Sequence, residues 1–397
     1  MSFRRLRTAT LAVLATALIA PLTPTVNSAQ AAEPAQAAEP ALVAPGGAFR
    51  VFAQDPPKHL PAGGGVNVVI PPEASAAACS QGPNGTIRGQ RVMLTAGHCL
   101  AEDKDSPKMG ERVTVPVNRQ YVPIGTRGKV HKPTDYENTF WPHEFFWDTI
   151  NTDDWGIVQL HDGVPATSLS QSRDADGRTH GAPVHLRSIR DRPTLPHNTF
   201  STDNFGEPIC KDGATSGRSC GTQIGRSRNG VYSWGLYYGF GDSGGINYDP
   251  NDGAVVGVTS MGLGPLGKAQ PADRIIETAY GVPDGQVNKE FKLEDSTAPH
   301  ANFTPLNTEQ QRITDTVKQE NPDLQLYTPE EAWNKAIDAA QTDAAIVADR
   351  AGKVRTIDEA QKLADTAAFA ANHHAAQLSA TGTNYAISNL ADLGSSN

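Results

Sequence analysis

From about residue 64 to 285, apolar residues come in short β-branched runs parted by Gly, Pro, Asn and Asp. Examples are Val66-Asn67-Val68-Val69-Ile70, Arg112-Val113-Thr114-Val115 and Ala254-Val255-Val256-Gly257-Val258-Thr259. Short runs bounded by turn residues, without a sustained helical period, predict an all-β barrel or sandwich. Beyond about residue 300 the pattern becomes helical. Thr308 to Gln311 has capping-box spacing and predicts a helix that Asn321-Pro322 ends. Thr328-Pro329-Glu330-Glu331 is a stronger start, with a capping threonine, proline at the first helical position and Glu at the third. It opens an Ala-rich stretch to about residue 350, and Thr356-Ile357-Asp358-Glu359 repeats the logic before a helix to about Leu378. Trp333, Ile337, Ala340, Ile346 and Val347 are expected to pack together.

At the other end, Arg4, Arg5 and Arg7 precede the apolar run Leu11–Ala20, and Ala29-Gln30-Ala31 offers a small-residue cleavage pattern. Residues 1–32 therefore read as a secretory signal peptide. A spanning helix needs about 20 apolar residues, and Pro21 and Pro24 interrupt the run too soon. Residues 33–63, rich in Ala, Pro and Glu, are expected to be a linker or pro-segment that buries no core. The expected division is thus signal peptide 1–32, linker or pro-segment 33–63, β-rich domain 64–285 and helical extension 286–397.

The net charge of −9 offers no basic surplus to neutralise phosphates and argues against nucleic-acid binding. The four cysteines, Cys79, Cys99, Cys210 and Cys220, are an even count in a chain expected to be exported, which favours disulfides. Three pairings are possible; the two local ones, Cys79–Cys99 and Cys210–Cys220, are the simplest. Zinc fits poorly, because neither pair has the short spacing of a structural site. Metal and cofactor are both expected to be absent.

Three distant segments carry chemistry: Leu94-Thr95-Ala96-Gly97-His98-Cys99, Asp153-Asp154-Trp155-Gly156-Ile157-Val158 and Gly241-Asp242-Ser243-Gly244-Gly245. A serine hydroxyl needs a base within hydrogen-bond reach, and imidazole titrates in the right range. A buried carboxylate can fix the imidazole tautomer and stabilise the imidazolium. His98, Asp154 and Ser243 supply these parts. The N–H groups of Gly241 and Ser243 are candidate donors to an oxyanion, with Gly241 and Gly244 giving the turn its freedom. Adjacent histidines His373-His374 read as a solvated pair rather than a metal site. Trp141, Phe145, Phe146 and Trp147 read as an aromatic loop packed beside the barrel or shaping the cleft.

These segments resemble the chymotrypsin-like (trypsin-like) serine peptidases, particularly their secreted bacterial branch. Thr95-Ala96-Gly97-His98-Cys99 is similar to that family's histidine motif and Gly241 to Gly245 to its serine motif, in the family's order His, Asp, Ser. The resemblance covers roughly residues 64–285. It implies an all-β double six-stranded antiparallel barrel with the triad between the barrels, here followed by an α-helical module. It makes Cys79–Cys99 the histidine-loop disulfide and Cys210–Cys220 a short disulfide hairpin. It favours Asp154 over Asp153, because Trp155-Gly156-Ile157-Val158 fits the register that follows the acid. Ser260, Met261 and Gly262 would offer main chain to an extended substrate.

The resemblance implies a pocket floor near Tyr237, with Phe240 beside it. No acid occupies Leu236 to Phe240, so a pocket for Arg or Lys is unsupported. Tyr237 or Tyr238 would line or partly fill the pocket, favouring small or apolar side chains, or would simply pack in the barrel. In animal relatives a new N-terminus orders the acid before the serine, here Asp242. No Ile-Val-Gly-Gly cleavage motif precedes residue 79. The expectation is a monomeric, secreted or wall-associated serine endopeptidase acting on polypeptides through an acyl-enzyme. The alternative is a protease-like binding or adhesion protein. The helical tail would contact the cell wall or serve an intramolecular role.

Overall fold

In the computed structural model, residues 39–61, 67–102, 107–132, 148–323 and 327–368 are described, with 370, 371, 374 and 378. The expected signal peptide, the aromatic run Trp141–Trp147 and His373 lie outside the described residues.

The strand Ala48–Ala53 lies inside an antiparallel ladder, between Ala77–Ser80 and Met109–Val117. The ladder continues through Gln120–His131, Trp155–Leu160, Gln90–Thr95 and Asn84–Ile87 to Phe291–Leu293. Phe49 and Val51 are fully buried with Met93, Val113, Val115, Ile124 and Val158. This corrects the reading of residues 33–63 as a coreless linker. Ala41, Val43 and Ala44 are also fully buried. The composition of the whole stretch misled because it averages over Phe49 and Val51, whose alternation within Ala48–Ala53 is a strand signal of its own. Likewise Phe291–Leu293 completes this ladder, so the β body runs past residue 285.

The second half closes on itself. Pro208–Gly213, Gly217–Ser227, Gly230–Trp234, Leu266–Pro271, Ala254–Leu263 and Ile246–Tyr248 pair in a cycle, all antiparallel, making a six-stranded barrel. The hairpin of Leu169–Arg173 and Thr179–His185 lies beside it. Both expected disulfides, Cys79–Cys99 and Cys210–Cys220, are formed. Cys210 and Cys220 are direct cross-strand partners.

Two strands join the halves because both their faces are buried. In Gln90–Thr95, Met93 enters the first core while Val92 and Leu94 enter the second; in Trp155–Leu160, Val158 and Leu160 face one core, Trp155 and Ile157 the other. The period-2 alternation of strands assigns the faces. The second core also takes Ile246, Tyr248, Val255 and Val258, with Ile275 and Ile276 of the helix Ala272–Tyr280.

The helix Leu306–Glu320 begins earlier than Thr308 suggests, because Pro305 takes the N-cap position. Glu309 is buried against Arg50 and accepts from the Tyr121 hydroxyl at 2.9 Å. Val317 packs with Val68 and Ile70. The helix Pro329–Ala351 opens with the expected capping box: Thr328 Oγ1 accepts from Glu331 N–H at 3.2 Å, and Glu331 Oε2 from Thr328 N–H at 2.8 Å. Among its described residues only Ala336 is buried, Ile346 is exposed, and Trp333, Ile337, Ala340 and Val347 are half-buried. His374, expected in solvent, is instead largely buried and hydrogen-bonded to Asp343 at 2.9 Å.

Candidate active site

His98 and Asp154 meet because the strand ends that carry them are paired. Thr95 is the register partner of Gly156, so the chain leaving Gln90–Thr95 turns beside the chain entering Trp155–Leu160. His98 lies in a single 3₁₀ turn, Gly97–Cys99, pinned by the Cys79–Cys99 disulfide. Its Nδ1 is 2.8 Å from Asp154 Oδ2, and its backbone N–H donates to Asp154 Oδ1 at 2.9 Å. Asp154 is buried, whereas the His98 ring is open to solvent. Asp153 is half-buried and makes no bond to His98 among the described residues.

Asp154 is held on every side. Ser260 Oγ donates to its Oδ2 at 2.6 Å, and its own N–H donates to Gln270 Oε1 at 2.9 Å. Burial pushes its pKa up, but the His98 charge and the hydrogen bonds from His98 and Ser260 outweigh this and hold the carboxyl below its ordinary value. Ser260 was expected to act through its main chain; its hydroxyl has this second role. Lys268 is buried nearby, donating to Thr152 O at 2.7 Å, and burial lowers its pKa to about 8.

Ser243 sits on a turn laid against the histidine segment. A Cβ on Gly244 would fall 2.1 Å from Thr95 Oγ1. Gly244 N–H donates to Thr259 O, and Thr259 N–H to Gly245 O, both at 2.8 Å. The serine turn is therefore stitched to the residue preceding Ser260, which is bonded to Asp154. Hydrogen bonds thus link the three sequence segments that the motifs singled out.

The backbone of the turn is oriented for a purpose. Thr215 Oγ1 donates to Phe240 O at 2.8 Å, and Gly241 has φ +103°, a value that favours glycine. In a trans peptide the N–H points opposite the carbonyl, so Gly241 N–H faces away from Thr215. Among the described residues, Asp242, Gly244 and Gly245 N–H all have backbone acceptors, while none is recorded for Gly241 or Ser243 N–H.

Asp242 supplies the anchor that the sequence left without a partner. It is buried, and its carboxylate meets Lys211 Nζ at 2.7 Å with both side chains at or below 1% exposure. Thr215 and Ser216 N–H donate to it at 3.0 Å and Gly239 N–H at 2.9 Å. Burial raises its pKa, but the Lys211 charge and these bonds hold the carboxyl below its ordinary value. A lone lysine within Cys210-Lys211-Asp212-Gly213 carries no motif; only the alternation of a strand whose Lys211 side is enclosed hints at it.

The substrate-facing residues divide. Ser260–Gly262 pair on one edge with Gly267 and Lys268, and no strand pairs their other edge among the described residues. Tyr237 and Phe240, expected at the pocket, project outward at 52% and 79% exposure, whereas Tyr238 is half-buried and packs against Ile209, Val231, Leu236 and Val256. Trp234, Leu263 and Leu266 are exposed neighbours, Leu266 being the cross-strand partner of both others.

Two groups of potential metal ligands occur among the described residues. Cys79, His98 and Cys99 form one, but both thiols are consumed by a disulfide. Asp191, Glu277 and Asp284 form the other, away from Ser243, with Arg274 Nη1 3.6 Å from Glu277.

No protein-family model matches the chain, and no curated protein matches it. Among solved structures it is similar to Thermobifida fusca protease A, at 20% identity and TM-score 0.37, covering 63% of this chain and 97% of that one. A Cellulomonas bogoriensis chymotrypsin matches at 19% identity and TM-score 0.35, over 64% and 99% of the two chains. A glutamic-acid-specific serine protease matches at 22% identity and TM-score 0.35, over 60% and 98%. At these scores the likeness does not bear on the site, which rests on its own geometry.

Proposed function

We propose that the protein is a secreted serine endopeptidase of the chymotrypsin-like type. Ser243 Oγ attacks the peptide carbonyl while His98 Nε2 takes its proton, with Asp154 holding Nδ1 and stabilising the imidazolium. The carbonyl oxygen becomes an oxyanion received by Gly241 and Ser243 N–H. Collapse breaks the C–N bond, and His98 returns the proton to the leaving amine. Water, deprotonated by the same imidazole, then releases the acyl group as a carboxylic acid and restores Ser243.

The observation that carries this reading is the pair of uncommitted N–H groups, Gly241 and Ser243, on a turn stitched beside a His98–Asp154 pair. Backbone donors are normally satisfied, and leaving two open at a serine suits a developing negative charge, where one donor is worth about 3 kcal/mol of barrier. The open edge at Ser260–Gly262, with Trp234, Leu263 and Leu266 exposed nearby, fits an extended polypeptide. The two disulfides fit an oxidising compartment outside the cytoplasm, and no described helix is long and apolar enough to cross a membrane.

The test is labelling by a fluorophosphonate probe, comparing the native chain with Ser243→Ala. Labelling of the native protein alone is expected. Labelling that persists in the variant would remove Ser243 as nucleophile, and folded protein that does not label would favour a binding role.

A further inference from the structure

Gly262 and Gly267 are direct cross-strand partners in the hairpin of Ala254–Leu263 and Leu266–Pro271. Opposed glycines leave a shallow slot on the sheet face, since neither contributes a side chain. The slot is occupied. A Cβ on Gly262 would fall 2.4 Å from Tyr238 Cγ, and one on Gly267 would fall 1.7 Å from the Tyr238 hydroxyl. The Tyr238 ring therefore lies across both glycines, in space that their missing side chains vacate.

Tyr238 is also fastened there. Its hydroxyl is 3.3 Å from Ser233 Oγ, and Lys211 Nζ stands 5.5 Å from its ring centroid. Lys211 is the ion-pair partner of Asp242, so the slot filler and the serine turn share one anchor. Gly262 belongs to the open edge Ser260–Gly262, so the slot lies beside the edge assigned above to an extended substrate, and a substrate there that turns its acyl-side side chain towards the slot meets Tyr238.

Resting on the peptidase reading, we propose that Tyr238 is the specificity-determining residue and that the enzyme cleaves after residues with little or no side chain, glycine and alanine. Large acyl-side residues meet the ring rather than a pocket. Of Tyr237 and Tyr238, either of which was expected to line or partly fill the pocket, it is Tyr238 that lies in the slot, while Tyr237 and Phe240 project outward.

The experiment uses the full chain and a peptide library varied at the acyl-side residue, with fluorophosphonate labelling run in parallel. The native enzyme should favour Gly and Ala over Phe and Leu by about a hundredfold or more in kcat/KM, the scale on which a filled pocket discriminates. Tyr238→Ala should raise the Phe-to-Ala ratio at least about tenfold, while Tyr238→Phe, which keeps the ring, should leave it near the native value. Native enzyme that labels yet cleaves after Phe or Leu as well as after Ala overturns the inference and leaves the peptidase reading standing. Native enzyme that is folded but neither labels nor cleaves takes down both. The native library profile decides even if Tyr238→Ala does not fold.

Discussion

Lys211 carries the heaviest single demand in the molecule, since it is a fully buried cation with one carboxylate partner. Removing one member of a buried pair leaves the other charge uncompensated, at about 3–5 kcal/mol. Lys211→Met should lower the urea-unfolding free energy by that amount, and the double variant Lys211→Met/Asp242→Asn should recover part of it. Fluorophosphonate labelling should fall in the single variant, because Asp242 also collects the Thr215, Ser216 and Gly239 N–H groups that shape the turn. The buried lysine near Asp154 behaves differently. Lys268 titrates at about 8, below the ordinary lysine value of 10.5, because burial disfavours its ammonium. Between those values the unfolded chain binds more protons than the fold, so stability rises with pH across that window, by up to about 3 kcal/mol. Urea midpoints measured from pH 7.5 to 10 should climb in the native protein and stay flat in Lys268→Met. Above about pH 10 the buried Tyr248 and the half-buried Tyr121 and Tyr238, whose pKa values are all raised chiefly by desolvation, reverse the trend.

Between elements, the helices Leu306–Glu320 and Pro329–Ala351 make opposite commitments. Leu306–Glu320 is part of the β body: Glu309 neutralises Arg50, itself 5% exposed on the core strand Ala48–Ala53, and Asn321 bonds both backbone groups of Val69. Pro329–Ala351 buries only Ala336 among its described residues. Truncation after residue 323 should therefore leave the melting temperature within a few degrees of native, whereas truncation after residue 304 should destabilise by about 3–5 kcal/mol or abolish folding, through the stranded Arg50 alone. Glu309→Ala in the full chain should reproduce most of that loss. Thermal unfolding of the three chains checks the ordering. The capping box at Thr328 was legible because its signal is local, two reciprocal hydrogen bonds within four residues. The docking of Leu306–Glu320 was not, because Glu309 and Arg50 stand 259 positions apart, and nothing local marks either as buried.

At the scale of the whole molecule, the segments that sequence singled out for chemistry were those that demand rare combinations. His98, Asp154 and the Gly241–Gly245 turn each need particular residue types at fixed offsets, and the fold links their three segments by hydrogen bonds. The β character of the middle region was legible for the related reason that alternation and turn residues are local. What escaped were long-range charge partners, such as Lys211 for Asp242, and the choice between Tyr237 and Tyr238, which turns on the opposed glycines Gly262 and Gly267. The largest error concerned residues 41–53, read as part of a stretch that buries no core from a composition averaged over its whole length. Their role can be tested through processing. Ala41 N–H donates to Pro299 O, Ala301 N–H to Ala41 O, and Gln81 bonds the backbone on both sides of the turn before Ala48. Fully buried Phe49 and Val51 sit on the strand that joins Ala77–Ser80 to the rest of the ladder, so cleavage near residue 63 would cut the covalent tie that holds Ala48–Ala53 between its two neighbours. Losing Phe49 alone costs about 3–5 kcal/mol, comparable to the entire stability margin of many domains. Intact-mass and N-terminal sequencing of the folded, labelling-competent protein should place its first residue at or before Ala41. Protein beginning at residue 64 should be unfolded or aggregated when expressed. An active species starting between residues 54 and 78 would show that the ladder forms without the strand Ala48–Ala53.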